Sequence, residues 1–235
     1  MPGNVSVAGV KPIAAVLFDF SDTLFWKDAS SRVMAVGKLA GLMLDPIEVE
    51  EIAGRVIALS ASPEEIGKGR DLSMQAHRLC WTNLCRPFDR LAPELHPPLS
   101  ARIYEDAASG EAHVPYPDTI RCIDTLAAMG IPMGVVSDIG WDVRRPFVNH
   151  EIADRFKVFV PSFAHGCEKP DRRLFQAACD VLGVELDEVL MVGDSPERDG
   201  GAAKYGLRAY IMPAWSGSGD RGLMAVPAIV QASRS

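Results

Sequence analysis

The chain carries two kinds of hydrophobic pattern. Ile13 to Phe18 is a continuous apolar run closed by Asp19, which predicts a short strand buried on both faces. From Asp28 to about Ser109 the apolar positions recur at helical spacing instead. Asp45 before Pro46 reads as an N-cap followed by a first-turn proline, and Val49, Ile52, Val56 and Leu59 fall on one helical stripe. Leu72 to Leu84 and Leu99 to Ala107 repeat the same period. Together they predict an all-helical block of about ninety residues between Leu24 and Pro115, with little strand pattern.

After PYPDT the pattern alternates. A helix from Asp118 to Met129 ends at Gly130, and IPMGVVSD then reads as strand and loop. FKVFV is a strand, Asp171 to Leu182 a helix, EVLMVGD a strand and LRAYIM a last strand. Helices alternating with apolar strands predict an α/β fold, a Rossmann-like parallel sheet covered by helices on both faces. Such sheets bind ligands outside the carboxyl ends of their strands. That singles out the residues that end the apolar runs, Asp19, Ser137 and Asp194, and Lys169 in a loop between strand and helix.

Composition narrows the partners. With 235 residues, 48% of them apolar and 23% charged, the chain can bury a sizeable core, as one large domain or a core with a smaller insertion. A net charge of -7 provides no basic field for nucleic acid or an anionic membrane. An anionic substrate therefore has to be held by local positive charge or metal. The five cysteines form no CxxC pair, and their odd number argues for reduced thiols rather than a disulfide framework. The run from Ile13 to Phe18 is too short for a signal-peptide core or a membrane span, so a cytoplasmic protein is expected.

Asp19 with Thr23 after the first strand, VVSD at the end of a second, EKPD opening a helix and GDSPERD after a third resemble the four motifs of the haloacid dehalogenase superfamily. They stand in the usual order and cover almost the whole chain. The insertion between the first two resembles the helical cap of the branch that contains phosphoglycolate phosphatases and dehalogenases. The resemblance implies a core of residues 1–24 and 115–235 carrying a helical cap of residues 25–114, as a monomer or homodimer.

It also implies a chemistry. A carboxylate attacking a phosphate needs cations to offset repulsion and hold the transferring oxygens in line. Asp19 is the implied nucleophile, and Asp19, Asp194 and the backbone carbonyl of Ser21 are implied oxygen ligands of Mg2+, with Asp199 as a lesser member of the metal site. Lys169 would neutralise charge on Asp19 and on a small phosphorylated substrate, and Ser137 would donate its hydroxyl, with Thr23 and Asp138 as further substrate contacts. Plainer readings stand beside these: Asp19, Asp22, Ser137 and Asp138 as turn or helix caps, and Lys169 as a solvated loop lysine. His77, Cys80, Trp81 and Leu84 share a helical spacing that suits packing, while His165 near Lys169 is a weaker substrate-contact candidate.

One departure matters. Phosphatases of the resembling family usually have a second aspartate two residues after the nucleophile, where it protonates the leaving alcohol and later activates water. Here that residue is Ser21, so a general acid and base worth about a hundred to ten thousand in rate is missing or relocated. Asp22 is the candidate for relocation, although neighbouring side chains on an extended segment point apart. Three readings follow: a Mg2+-dependent phosphatase of modest turnover, a 2-haloacid dehalogenase or phosphonate hydrolase, and a phosphate-binding protein without turnover. A phosphonate hydrolase needs a Schiff-base lysine from the helical block, which offers Lys27, Lys38 and Lys68.

Overall fold

The computed structural model describes residues 11–213 and 219–234. Strand β1 (Ala15–Phe18) is wholly buried: Ala15 and Leu17 face one apolar cluster, Val16 and Phe18 the other. Adjacent side chains on a strand point to opposite faces, so covering both faces demands an unbroken apolar run. The chain then passes through β2 (Phe25–Trp26) into α1 (Ala29–Leu39), α2 (Pro46–Ser60), the short α3 (Pro63–Ile66), α4 (Met74–Cys85) and α5 (Leu99–Ser109). Asp45 caps α2 as its sequence predicts, accepting the N–H of Ile47 at 2.9 Å, with Pro46 in the first turn. The chain returns through β3 (Val114–Pro115), which pairs antiparallel with β2. This two-stranded neck escapes sequence reading because two residues carry no period.

The rest of the chain alternates. It runs through α6 (Thr119–Ala128), β4 (Met133–Ser137), α7 (Arg144–Asn149), β5 (Val158–Pro161), the short α8 (Ser162–His165), α9 (Arg172–Leu182), β6 (Val189–Gly193), β7 (Arg208–Ile211) and α10 (Ala225–Ala232). The sheet order is β5-β4-β1-β6-β7, with every neighbouring pair parallel. Cys122, Ile123 and Leu126 of α6 and Val226 and Val230 of α10 cover one face, and Leu174, Phe175 and Ala178 of α9 cover the other. The helical block has its own cluster, built on Val33, Val49, Ile52, Leu84, Phe88 and Leu99. Asp118 does not cap its own helix; its carboxylate accepts the N–H groups of Arg221, Gly222 and Leu223 at 2.8–2.9 Å and ties the C-terminal segment down.

Asp71 ties the helical block to the loops of the sheet with two hydrogen bonds. Ser162 Oγ donates to the carbonyl of Asp71 at 2.6 Å, and the Asp71 N–H donates to Glu168 Oε1 at 3.1 Å. After β4, Gly140 lies so close to α4 that a Cβ there would stand 2.1 Å from His77 Cβ, so only glycine admits the helix at this distance. All five cysteines are free thiols, and no helix among the described residues is long and apolar enough to cross a membrane.

Candidate active site

β1 lies between β4 and β6, the point where the strand order reverses, so Asp19, Ser137 and Asp194 emerge at one edge of three adjacent strands. Asp19 N–H donates to the carbonyl of Val192 at 2.9 Å, which holds its backbone against β6. Its carboxylate meets Lys169 Nζ at 2.7 Å, and the same ammonium meets Asp199 Oδ1 at 2.6 Å. Burial pushes the Asp19 carboxyl up to about 7, against the pull of Lys169. Burial also works against the charge on Lys169, but Asp19, Asp199 and Asp138 outweigh it and raise its pKa.

Asp199 is fully buried and fully engaged. Its Oδ2 accepts the N–H of Asp194 at 3.1 Å and of Ser195 at 3.0 Å, while Oδ1 holds Lys169. Gly193 makes this possible: a Cβ there would stand 2.1 Å from Asp199 Oδ2. Asp138 plays a similar part from β4, accepting the Lys169 N–H at 2.8 Å and Arg198 Nη1 at 3.2 Å, so it fixes the lysine's loop. Sequence reasoning had no signal for Arg198, whose partner is sixty residues away.

The carboxylate of Asp194 accepts no hydrogen bond from the described residues, and burial raises its pKa, with Asp199 and Asp22 adding repulsion. Carboxylate oxygens of Asp19, Asp194 and Asp199 lie within 4.8 Å of one another. A half-buried carboxylate with no hydrogen-bond donor among the described residues, set among others, is a hard-oxygen donor set that suits Mg2+, with Asp194 and the Asp19 oxygen not held by Lys169 available to ligate and Asp199 already engaged.

A cavity of about 580 Å³ opens over this edge, between sheet and helical block. Asp19, Ser21, Asp22, Ser137, Asp138, Lys169, Asp194 and Asp199 all line it. Thr23 does not: it is fully buried, and its hydroxyl has no partner. Asp22 has φ +57°, the left-handed conformation that glycine takes without strain, and its carbonyl accepts Arg221 Nε at 2.7 Å. Its carboxylate lines the cavity, where burial raises its pKa and Lys27 opposes the shift. Of the three lysines of the helical block, only Lys27 lines the cavity, together with His77, Trp81 and His113. Lys38, Lys68 and His165 are exposed outside it.

The comparisons with known proteins agree with this architecture. Haloacid dehalogenase-like hydrolases match residues 13–206. The phosphoglycolate phosphatase of Rhodospirillum rubrum is 29% identical over 84% of this chain and 78% of its own length, and the glyceraldehyde 3-phosphate phosphatase of Methanopyrus kandleri is 30% identical over 83% and 82%. Among solved structures, the L-2-haloacid dehalogenase of Xanthobacter autotrophicus superposes with a TM-score of 0.64 at 24% identity, over 87% of this chain and 79% of that one, a likeness of fold. The class is therefore that of the hydrolases on a Rossmann-like sheet. The chain belongs to the haloacid dehalogenase-like hydrolase family.

Proposed function

We propose that the chain is a Mg2+-dependent hydrolase of a small phosphorylated molecule, with Asp19 as nucleophile and the helical block of residues 25–114 as a cap over the sheet edge. One observation carries this reading: a carboxylate paired with a buried lysine at 2.7 Å stands beside Asp194, whose carboxylate accepts no hydrogen bond from the described residues. The relatives named as phosphatases support it. Asp19 Oδ attacks phosphorus, the bond to the alcohol oxygen breaks with its electron pair, and the chain carries an aspartyl phosphate until water releases inorganic phosphate. Lys169 offsets charge on Asp19 and the phosphate oxygens, and Ser137 donates its hydroxyl to them. Asp19, Asp194 and the Ser21 carbonyl would hold Mg2+, which supplies positive charge to the transferring oxygens. Asp199 and Asp138 position Lys169 rather than touch substrate.

Ser21 places no acid two residues after Asp19, which also suits a leaving group that needs no proton, such as halide. That is the second reading, and Asp194 counts against it because a dehalogenase of this family has no use for a metal ligand there. The test measures phosphate release from p-nitrophenyl phosphate and chloride release from 2-chloropropionate, with and without Mg2+. Metal-dependent phosphate release, lost in Asp19→Asn and Asp194→Ala, is expected. Chloride release that ignores the metal would replace the reading with the second.

A further inference from the structure

The cavity, at about 580 Å³, is larger than a small phosphate ester needs. Asp19, Asp194 and Ser21 line it, and so do Val33, Val36, Val56, Phe88 and Ile103 from the helical block's own apolar cluster. At roughly 30 Å³ for each water-sized group, 580 Å³ holds on the order of twenty. A phosphate and a two-carbon acid fill less than half of that, and would leave the apolar walls facing water.

Lys27 lines this cavity. Its Nζ lies 5.2 Å from the centroid of the Trp81 ring, and no carboxylate of the described residues comes within 4.0 Å of it. Arg70 also lies over Trp81, at 5.0 Å, but its Nη1 already donates to the Ser60 carbonyl at 2.8 Å and its Nε to Asp71 at 3.5 Å. The surrounding walls desolvate the Lys27 ammonium and lower its pKa, with Asp22 the first of the charges that oppose this. Asp22, Trp81 and Lys27 line the same cavity, with the Lys27 ammonium beside the Trp81 ring. Lys27 keeps an exposed side chain on this cavity, so an anion brought by a ligand can reach the ammonium beside the Trp81 ring.

We propose that Lys27 and the apolar chamber of this cavity recognise the leaving part of the substrate, selecting phosphate monoesters of organic acids that carry a hydrocarbon body. The inference rests on the phosphatase reading for the reaction, and on Lys27 and the chamber alone for the ligand. The carboxylate pairs with Lys27, and the hydrocarbon lies among the side chains of α1, α2 and α5. A charge-assisted contact and the burial of several methylenes each give tenfold or more in affinity, at about 1.4 kcal/mol per tenfold.

Binding and turnover are measured separately. Calorimetry compares octanoate, octan-1-ol and acetate on the full chain. Octanoate should bind about tenfold or more tightly than either of the others. Lys27→Met should erase the preference for octanoate over octan-1-ol, and Lys27→Arg should retain it. Ile103→Trp, which fills the chamber, should erase the preference for octanoate over acetate. Turnover with Mg2+ compares the phosphate esters of 2-hydroxyoctanoate, octan-2-ol and glycolate, and kcat/KM should be highest for the first. Should Lys27→Met or Ile103→Trp fail to fold, the wild-type comparisons alone decide. Equal binding of octanoate, octan-1-ol and acetate, or borohydride trapping of a phosphonate aldehyde on Lys27, overturns the proposal. Octanoate binding without hydrolysis of any phosphate ester, p-nitrophenyl phosphate included, overturns the phosphatase reading and leaves the ligand assignment standing.

Discussion

Gly193 and Ser21 each decide something out of proportion to their size. Gly193 lets Asp199 fold back onto the loop after β6, and Asp199 in turn holds Lys169 beside Asp19. Gly193→Ala would drive a Cβ into a fully buried carboxylate whose oxygens are all engaged. We expect a loss of about 3 kcal/mol in denaturant unfolding, near the top of the usual overpacking range, together with loss of turnover. Retained stability would mean that Asp199 is free to move. Ser21 lines the cavity where an acid would assist the leaving alcohol. We expect Ser21→Asp to raise turnover of alkyl phosphates more than of aryl phosphates, because a stable aryl oxide leaves without a proton, and the gain should reach about a hundredfold if the new acid is well placed. Wild type that already hydrolyses both equally, and loses the activity in Asp22→Asn, would make Asp22 the relocated acid.

At the scale of elements, the close approach of α4 to the loop after β4 governs the roof of the cavity. Gly140→Ala would place a Cβ 2.1 Å from His77 Cβ and push the helix away. The cost should be about 1–3 kcal/mol, paid locally. Hydrogen exchange should then quicken between Arg70 and His77 while the sheet strands keep their protection, and KM should rise. Uniform loss of protection would mean that the helical block and the sheet unfold as one unit. Sequence periodicity identified α2, α4 and α5 and the strands of the sheet, because each of these elements covers a face long enough to show a period. It left out the β2–β3 neck, where Phe25 and Trp26 pair with Pro115 and Val114 from the far side of the helical block.

At the scale of the whole molecule, two buried histidines make stability depend on pH. Burial, with Lys27 adding to it, lowers both His77 and His113 to about 3. Between about 3 and 6.5 the unfolded chain binds a proton at each that the folded chain refuses, so stability rises with pH there and is lost as pH falls below 6.5. Each contributes up to about 1.4 kcal/mol per pH unit. Asp71 acts in the opposite sense: burial raises it to about 6, so the folded state holds its proton between 3.8 and 6 and loses stability as pH rises through that window. Asp19, raised by burial to about 7, acts like Asp71 between 3.8 and 7, so the two histidines are offset by two aspartates and their share is read from a histidine variant. His113 has an unpartnered Nδ1 and packs against Phe20 and Trp141. We expect His113→Phe to fill that space and stabilise, by about 1–3 kcal/mol more at pH 5 than at pH 7.5. A pH-independent effect in thermal melts would show that His113 is not the group that titrates.

The sequence by itself determined the alternation of strand and helix, the helical insertion and the acids that end the strands, because those depend on local period and on where an apolar run stops. It could also mark Ser21 as a departure from the resembling family's motif, which is a matter of one residue at one position. Only the tertiary structure decided which of these groups meet. Asp138 and Arg198 pair across sixty positions, Thr23 lies in the core rather than the cavity, and Lys27 faces the cavity while Lys38 and Lys68 do not. A side chain's partners come from other parts of the chain, and no periodicity encodes a contact made through space.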